Sequence, residues 1–347
     1  MSYNEVQPRH RTGRWRRRML LALVLALCCT ASATALTIKL GSVAPANTPW
    51  DLALRGLAAD WARISDGEIE VKIFPGGIAG NEPDMIRKMR IGQLQAAAMT
   101  AISFNSIYPG VLAIAQPMLV RTDEEMRNIL DEMTPFFNEQ LEERGFVPLM
   151  WAPIGWVKFF AREPVHTADD LRRHKLWVGS ASPAVLRAWQ QAGFNPVALP
   201  VAEVTTALQS GMIDAVASSP SGAASFQWFG IVPHMTDLRF TPLFGAVMIS
   251  KRAWQRIPAD LRPRLMRAAT VAAQRVSEGA YEMDDLAVHV MVAHGLQVHE
   301  ATAELEQEFT DIIGRYFGDL IGDEIDPEAY DLVIEKVNAY RARGGSN

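Results

Sequence analysis

The chain has 347 residues, 49% of them hydrophobic and 21% charged, with a formal net charge of −5. That is the composition of a globular protein too long for one small core and suited to two lobes. The acidic balance argues against nucleic acid or anionic lipid as a partner.

At the N-terminus, Arg9, Arg11, Arg14 and Arg16 to Arg18 precede an apolar run from Met19 to Cys29 and then Ala33-Thr34-Ala35. These are the n-region, h-region and A-x-A site of a secretory signal, so the expectation is a signal peptide over 1–35, cleavage after Ala35 and a periplasmic product. The run is too short for a permanent anchor, since a spanning helix needs about twenty residues. Cys28 and Cys29 both lie inside it, which leaves the exported chain without disulfides or a thiol nucleophile.

Leu36 to Gly41 alternates as a first strand, and Asn47-Thr48-Pro49 opens a helix whose apolar positions are read as Leu52, Leu57, Trp61 and Ile64. Glu68 to Phe74 follows as a second strand, running into Pro75 to Gly80, a Gly-rich loop without phosphate-cradle spacing. Met85 to Arg90 reads as helix, Gly92 as its stop and Leu94 to Ala97 as strand. Gly145 to Ile154 and Val157 to Arg162 read as two strands with a hinge crossing near Gly155. Asp169-Asp170 reads as charge at a helix start. Leu199 to Pro220, LPVAEVTTALQSGMIDAVASSP, repeats the earlier unit: a helix from Val201 to Ser210, Gly211 as its left-handed stop, and a short apolar strand from Met212. That strand ends in Ser218-Ser219-Pro220, where ligands collect in open α/β sheets. One long helical pattern runs from Pro258 to about Ala293, with Leu261, Leu265, Ala268 and Val271 read as its apolar face, and a closing helix covers Ala303 to Phe317.

Catalytic signatures are missing: the chain has no G-x-S-x-G, no H-E-x-x-H and no phosphate loop. His289, His294 and His299 recur every fifth residue, about 140° apart per step on a helix, so they share no face and no metal site is expected. The reading is a binding protein, not an enzyme, with no cofactor.

The Leu199–Pro220 stretch resembles the signature P-x-x-E-V-x-x-A-L-Q-x-G-x-V-D-G-x-E-N-P of the extracytoplasmic solute-binding proteins of TRAP (tripartite ATP-independent periplasmic) transporters, the DctP type. It matches at Pro200, Glu203, Val204, Ala207, Leu208, Gln209, Gly211, Asp214 and Pro220, and departs at Ala215, Ser218 and Ser219. Ser65 to Val71, Tyr108-Pro109 and Pro164 to Val178 match further family segments. The resemblance implies an α/β, two-lobed periplasmic binding protein fold with hinge strands and a long helix across both lobes. Expected boundaries are 36–154 with 243–282 for lobe one and 155–242 with 283–340 for lobe two, crossing near Gly155 and Pro242. It also implies TRAP membrane subunits as partners.

The family grips organic acids with the arginine of K-I-R-V and the asparagine of E-N-P; here those positions are Trp177 and Ser219, the latter preceded by Ser218. Matched segments put Val43, Thr100, Val157, Ser180 and Ala202 where many relatives have polar contacts. With Trp156 and Met99 beside Trp177, the expectation is a predominantly apolar or amphipathic ligand whose polar end meets Ser180 and Ser219. An alternative keeps an organic acid and relocates the cation to Lys158, Arg162 or Arg173. A further alternative is a secreted hydrolase or a non-binding scaffold on the same fold. A subgroup paired with a tetratricopeptide-repeat lipoprotein shows a similar loss of the arginine, which adds that lipoprotein as a partner.

Overall fold

The computed structural model describes residues 35–344 except Ser180, so the expected signal segment through Thr34 lies outside the described residues. Strand β1 (Leu36–Ser42) leads to helix α1 (Pro49–Ile64), which starts where expected: the Thr48 side chain accepts from the Asp51 N–H, and Pro49 occupies the first turn, where no N–H is needed. Then come β2 (Ile69–Phe74), α2 (Glu82–Arg90), β3 (Ala96–Thr100), α3 (Asp123–Glu143) and β4 (Phe146–Ala161). The second half holds β5 (Lys175–Trp177), β6 (Asn195–Val197), α4 (Val201–Ser210), β7 (Ala215–Ser218), α5 (Pro220–Ser225) and β8 (His234–Ser250). The chain closes with α6 (Arg262–Ala293), β9 (Gln297–Glu300), α7 (Ala303–Tyr316) and α8 (Pro327–Ala342).

The strands form one sheet in the order β2-β1-β3-β8-β4-β7-β5-β6, with β9 on β8. Two parallel blocks, β2-β1-β3 and β7-β5-β6, flank the long strands β8 and β4, which are antiparallel to each other and run through both halves. The two strands expected on either side of Gly155 are therefore one. Their pairing with β8 runs from Phe146↔Ser250 to Ala161↔His234, interrupted by register shifts at Pro153/Gly155 and Val157/Phe159. A bulge bends a strand without ending it, which is why the Gly reads as a break in sequence.

Side chains alternate between two faces of this sheet. Met99, Phe159 and Leu176 enter a large core on one face, while Ala98, Phe160 and Trp177 point to the other. On that second face α6 packs against α1, β4 and α5, so one helix spans both halves. Its buried positions include Leu265, Ala269, Ala272, Val276, Asp284, Ala287 and Met291; the expected Leu265 is among them, whereas the expected Val271 is exposed. Helix α8 packs on α3 in the first half, where Arg341 Nε meets Glu125 Oε1 at 2.7 Å, although its residues were expected with the second lobe.

Candidate functional site

The two helix–Gly–strand units are built alike. Gly92 and Gly211 both sit in the left-handed region, at φ 79° and 72°, which a Cβ would disfavour. Each stop turns its chain into a strand, and the ends of those strands, Thr100 and Ser219, line one cavity of about 480 Å³. Val43 and Met99 line it from the first half, Phe226 from the second, Ile154 and Leu243 from the long strands, and Met283 and Leu286 from α6. Among the described residues, none that lines it is charged.

Its polar groups are held from behind. Thr100 donates its N–H to Glu82 Oε1 at 2.5 Å and its hydroxyl to Oε2 at 3.1 Å. Burial pushes the Glu82 carboxyl up despite these bonds. With its proton committed, Thr100 offers acceptor lone pairs to the cavity. Ser219 caps α5, accepting the Gly222 N–H at 3.2 Å, and its oxygen lies 3.3 Å from Ser221 Oγ, so this wall retains a hydroxyl donor. Behind it, Asp284 of α6 accepts the Ser221 N–H at 3.0 Å and the Trp156 N–H at 3.4 Å.

Of the described residues expected at the site, Val43, Met99, Thr100 and Ser219 line the cavity and the others do not. Trp177 does not reach the cavity. It lies in the second-half core, 5.4 Å from the Trp228 ring at 76°, with its indole N–H donated to the Leu199 carbonyl at 2.9 Å. Strand alternation sends it to that core, and the large ring is satisfied there. It supports the wall only at second hand: Trp228 stacks on Phe226 at 4.9 Å, and Phe226, 41% exposed, forms cavity surface. Trp156 is buried on the other side with its indole N–H donated to Asp123 Oδ1 at 2.6 Å, and Val157 is half-buried against the large core. Ala202 is exposed on α4, Ser218 donates to the Ser219 carbonyl, and Ser180 lies outside the described residues.

The candidate cations are engaged elsewhere. Lys158 pairs with Asp237 and faces Ser218 across the β4/β7 register. Arg162 bonds the Leu208 carbonyl, and Arg173 pairs with Asp170 at 3.3 Å. Sequence spacing missed Phe226, Ser221, Met283 and Asp284. The one available signal was the acidic residue set between apolar positions in Met283-Asp284-Asp285-Leu286.

Three imidazoles meet away from the cavity: His234 Nδ1 lies 3.0 Å from His299 Nε2, and the His166 ring is 5.0 Å from that of His299. Burial and the neighbouring imidazoles hold His299 below the usual histidine range. Among the described residues, no group of three or more His, Cys, Asp or Glu has a metal-holding arrangement, and no helix is long and apolar enough to cross a membrane.

The family model described as "Bacterial extracellular solute-binding protein, family 7" (DctP) matches residues 40–319. The C4-dicarboxylate-binding periplasmic protein DctP of Rhodobacter capsulatus is 24% identical over 84% of this chain and 88% of its own length. A TRAP periplasmic solute-binding protein from Ochrobactrum anthropi, solved with its C-terminus in the ligand-binding pocket, shares the fold at TM-score 0.81, with 24% identity, covering 90% of this chain and 97% of that one. The sugar acid binding protein DctPAm from Advenella mimigardefordensis, in complex with galactonate, does so at TM-score 0.82 with 18% identity, covering 88% and 98%. Members of this family are solute receptors and not enzymes. With its matched span, its two-lobed sheet and its cavity between strand ends, the chain belongs to the bacterial extracellular solute-binding proteins of family 7, the DctP receptors of TRAP transporters.

Proposed function

We propose that the protein binds an organic acid between its lobes and hands it to TRAP membrane subunits. The lobes are 36–154 with 243–282, and 155–242 with 283 to about 326, α8 joining the first. The observation that carries this reading is the cavity at the paired strand ends Thr100 and Ser219, between halves joined by β4, β8 and α6. The acid replaces the apolar ligand expected from Trp177. Relatives of this fold are named for C4-dicarboxylates or hold galactonate, and Trp177 itself is core.

The charge complement comes from Lys158. Its side chain is 14% exposed, its partner Asp237 is 44% exposed, and it lies beside the Ser218 strand end. Exchange of Asp237 for a ligand carboxylate on closure conserves the ion pair, while the Ser219 and Ser221 hydroxyls add neutral hydrogen bonds. Native mass spectrometry of freshly purified protein identifies the carried-over acid. Calorimetry with that acid is then expected to show Lys158→Ala binding about tenfold to a hundredfold more weakly, the range of a charge-assisted bond. Retention of a neutral apolar molecule, or equal affinity in Lys158→Ala, overturns the acid reading.

Export through the signal over 1–35 belongs to the same proposal, and N-terminal sequencing of periplasmic protein is expected to begin at Leu36. Intact Met1 in that fraction rejects it. The tetratricopeptide-repeat lipoprotein partner rests on Trp177 standing at the family's arginine position. Co-purification of that lipoprotein with the tagged receptor tests the pairing, and its absence from the eluate removes it.

A further inference from the structure

Asp284 is 6% exposed, midway along α6, and is bound to two other elements. Oδ1 accepts from Ser221 in the cavity wall, and Oδ2 accepts from Trp156 on β4. Gly155, at φ +149°, lies beside the register shift of β4, and a Cβ there would lie 2.0 Å from Asp284 Oδ2. The glycine thus makes room for the carboxyl at the point where the strand passes from one half to the other. Met283 and Ala287, on either side of Asp284, line the cavity. One buried carboxyl therefore ties the helix that spans both lobes to the bend in the hinge strand and to the ligand wall.

We propose that Asp284 is a positioning residue for ligand capture, its carboxyl fixing the Ser219–Ser221 wall to the bend of the hinge strand. The inference deepens the receptor reading and rests on it. The charged group facing Asp284 from β4 is Lys158; α5 carries none, Glu282 and Asp285 of α6 are exposed, and on α1 Asp51 and Arg55 pair with each other.

Burial raises the Asp284 carboxyl above its ordinary value, and the bonds from Ser221 and Trp156 and the Lys158 charge only partly oppose this.

The test is ligand-free, so its failure is separable from failure of the receptor reading, which turns on acid binding. Spin labels on cysteines at exposed Arg90 and Glu203, one per lobe, report the interlobe distance by pulsed electron resonance. The wild-type distribution is expected to be narrow. Asp284→Asn keeps one acceptor oxygen but turns an NH2 toward the second N–H, so it is expected to be broader, and Asp284→Ala, with no acceptor, broader still. If the alanine variant does not fold, the asparagine variant decides alone. A wild-type distribution as broad as that of Asp284→Asn overturns the proposal.

Discussion

Single side chains here do work that their type alone does not announce. Trp177 stands where the resemblance to the family implies a ligand arginine, yet its ring is core and its N–H is satisfied by Leu199. It is therefore a stability residue. Trp177→Ala is expected to cost about 3–5 kcal/mol in urea unfolding, the range for emptying a large aromatic site, while the folded fraction keeps its bound acid. Loss of the acid from folded Trp177→Ala protein would show that the indole contributes to the site directly. Thr100 and Ser219 are the complementary case. They are modest hydroxyls whose donor and acceptor roles are set by Glu82 and by the α5 backbone. The two sides of the cavity consequently offer opposite hydrogen-bonding character.

At the scale of elements, the fold depends on which long pieces cross between halves. Strands β4 and β8 cross with bulges, and α6 crosses on the second face of the sheet. Helix α8 returns to the first half and is held to α3 by Arg341, which bonds both carboxylate oxygens of Glu125 and the Leu119 carbonyl. Glu125 is 1% exposed, so removing its partner strands a buried charge. Because Arg341 is about a quarter exposed, the expected cost of Arg341→Ala is about 2 kcal/mol, below the loss for a wholly buried pair. Chemical denaturation measures it, and limited proteolysis is expected to cut α8 first. A variant as stable as wild type would mean that apolar packing alone holds α8 in place.

For the whole molecule, two lobes joined by two strands and one helix form a hinge with few crossings. A cavity between them loses its water when they approach, and that desolvation strengthens every hydrogen bond to a ligand trapped there. Small-angle scattering with the identified acid at saturation is expected to give a smaller radius of gyration than the free protein. An unchanged radius would mean that the ligand is held without closure.

Much of this was written locally. The Thr48-Pro49 helix start, the left-handed stops at Gly92 and Gly211 and the alternating strands each depend on neighbours within a turn or a pleat, so the sequence by itself determined the α/β character and the repeated unit. Four residues expected at the site, Val43, Met99, Thr100 and Ser219, line the cavity; Val43 and Thr100 were placed by matching family segments, Met99 by its apolar character and Ser219 also by its position at a strand end. Tertiary structure alone decided the rest. Whether β4 breaks or bulges at Gly155 depends on pairing with β8, about ninety residues away in the chain. The direction of Trp177 depends on which face α4 and Trp228 cover. The meeting of Asp284 with Ser221 and Trp156, and of His166 with His234 and His299, joins segments 63 to 128 residues apart in the first case and two strands and a loop in the second. No local propensity encodes such encounters; they exist only once the long strands have paired and α6 has been laid across them.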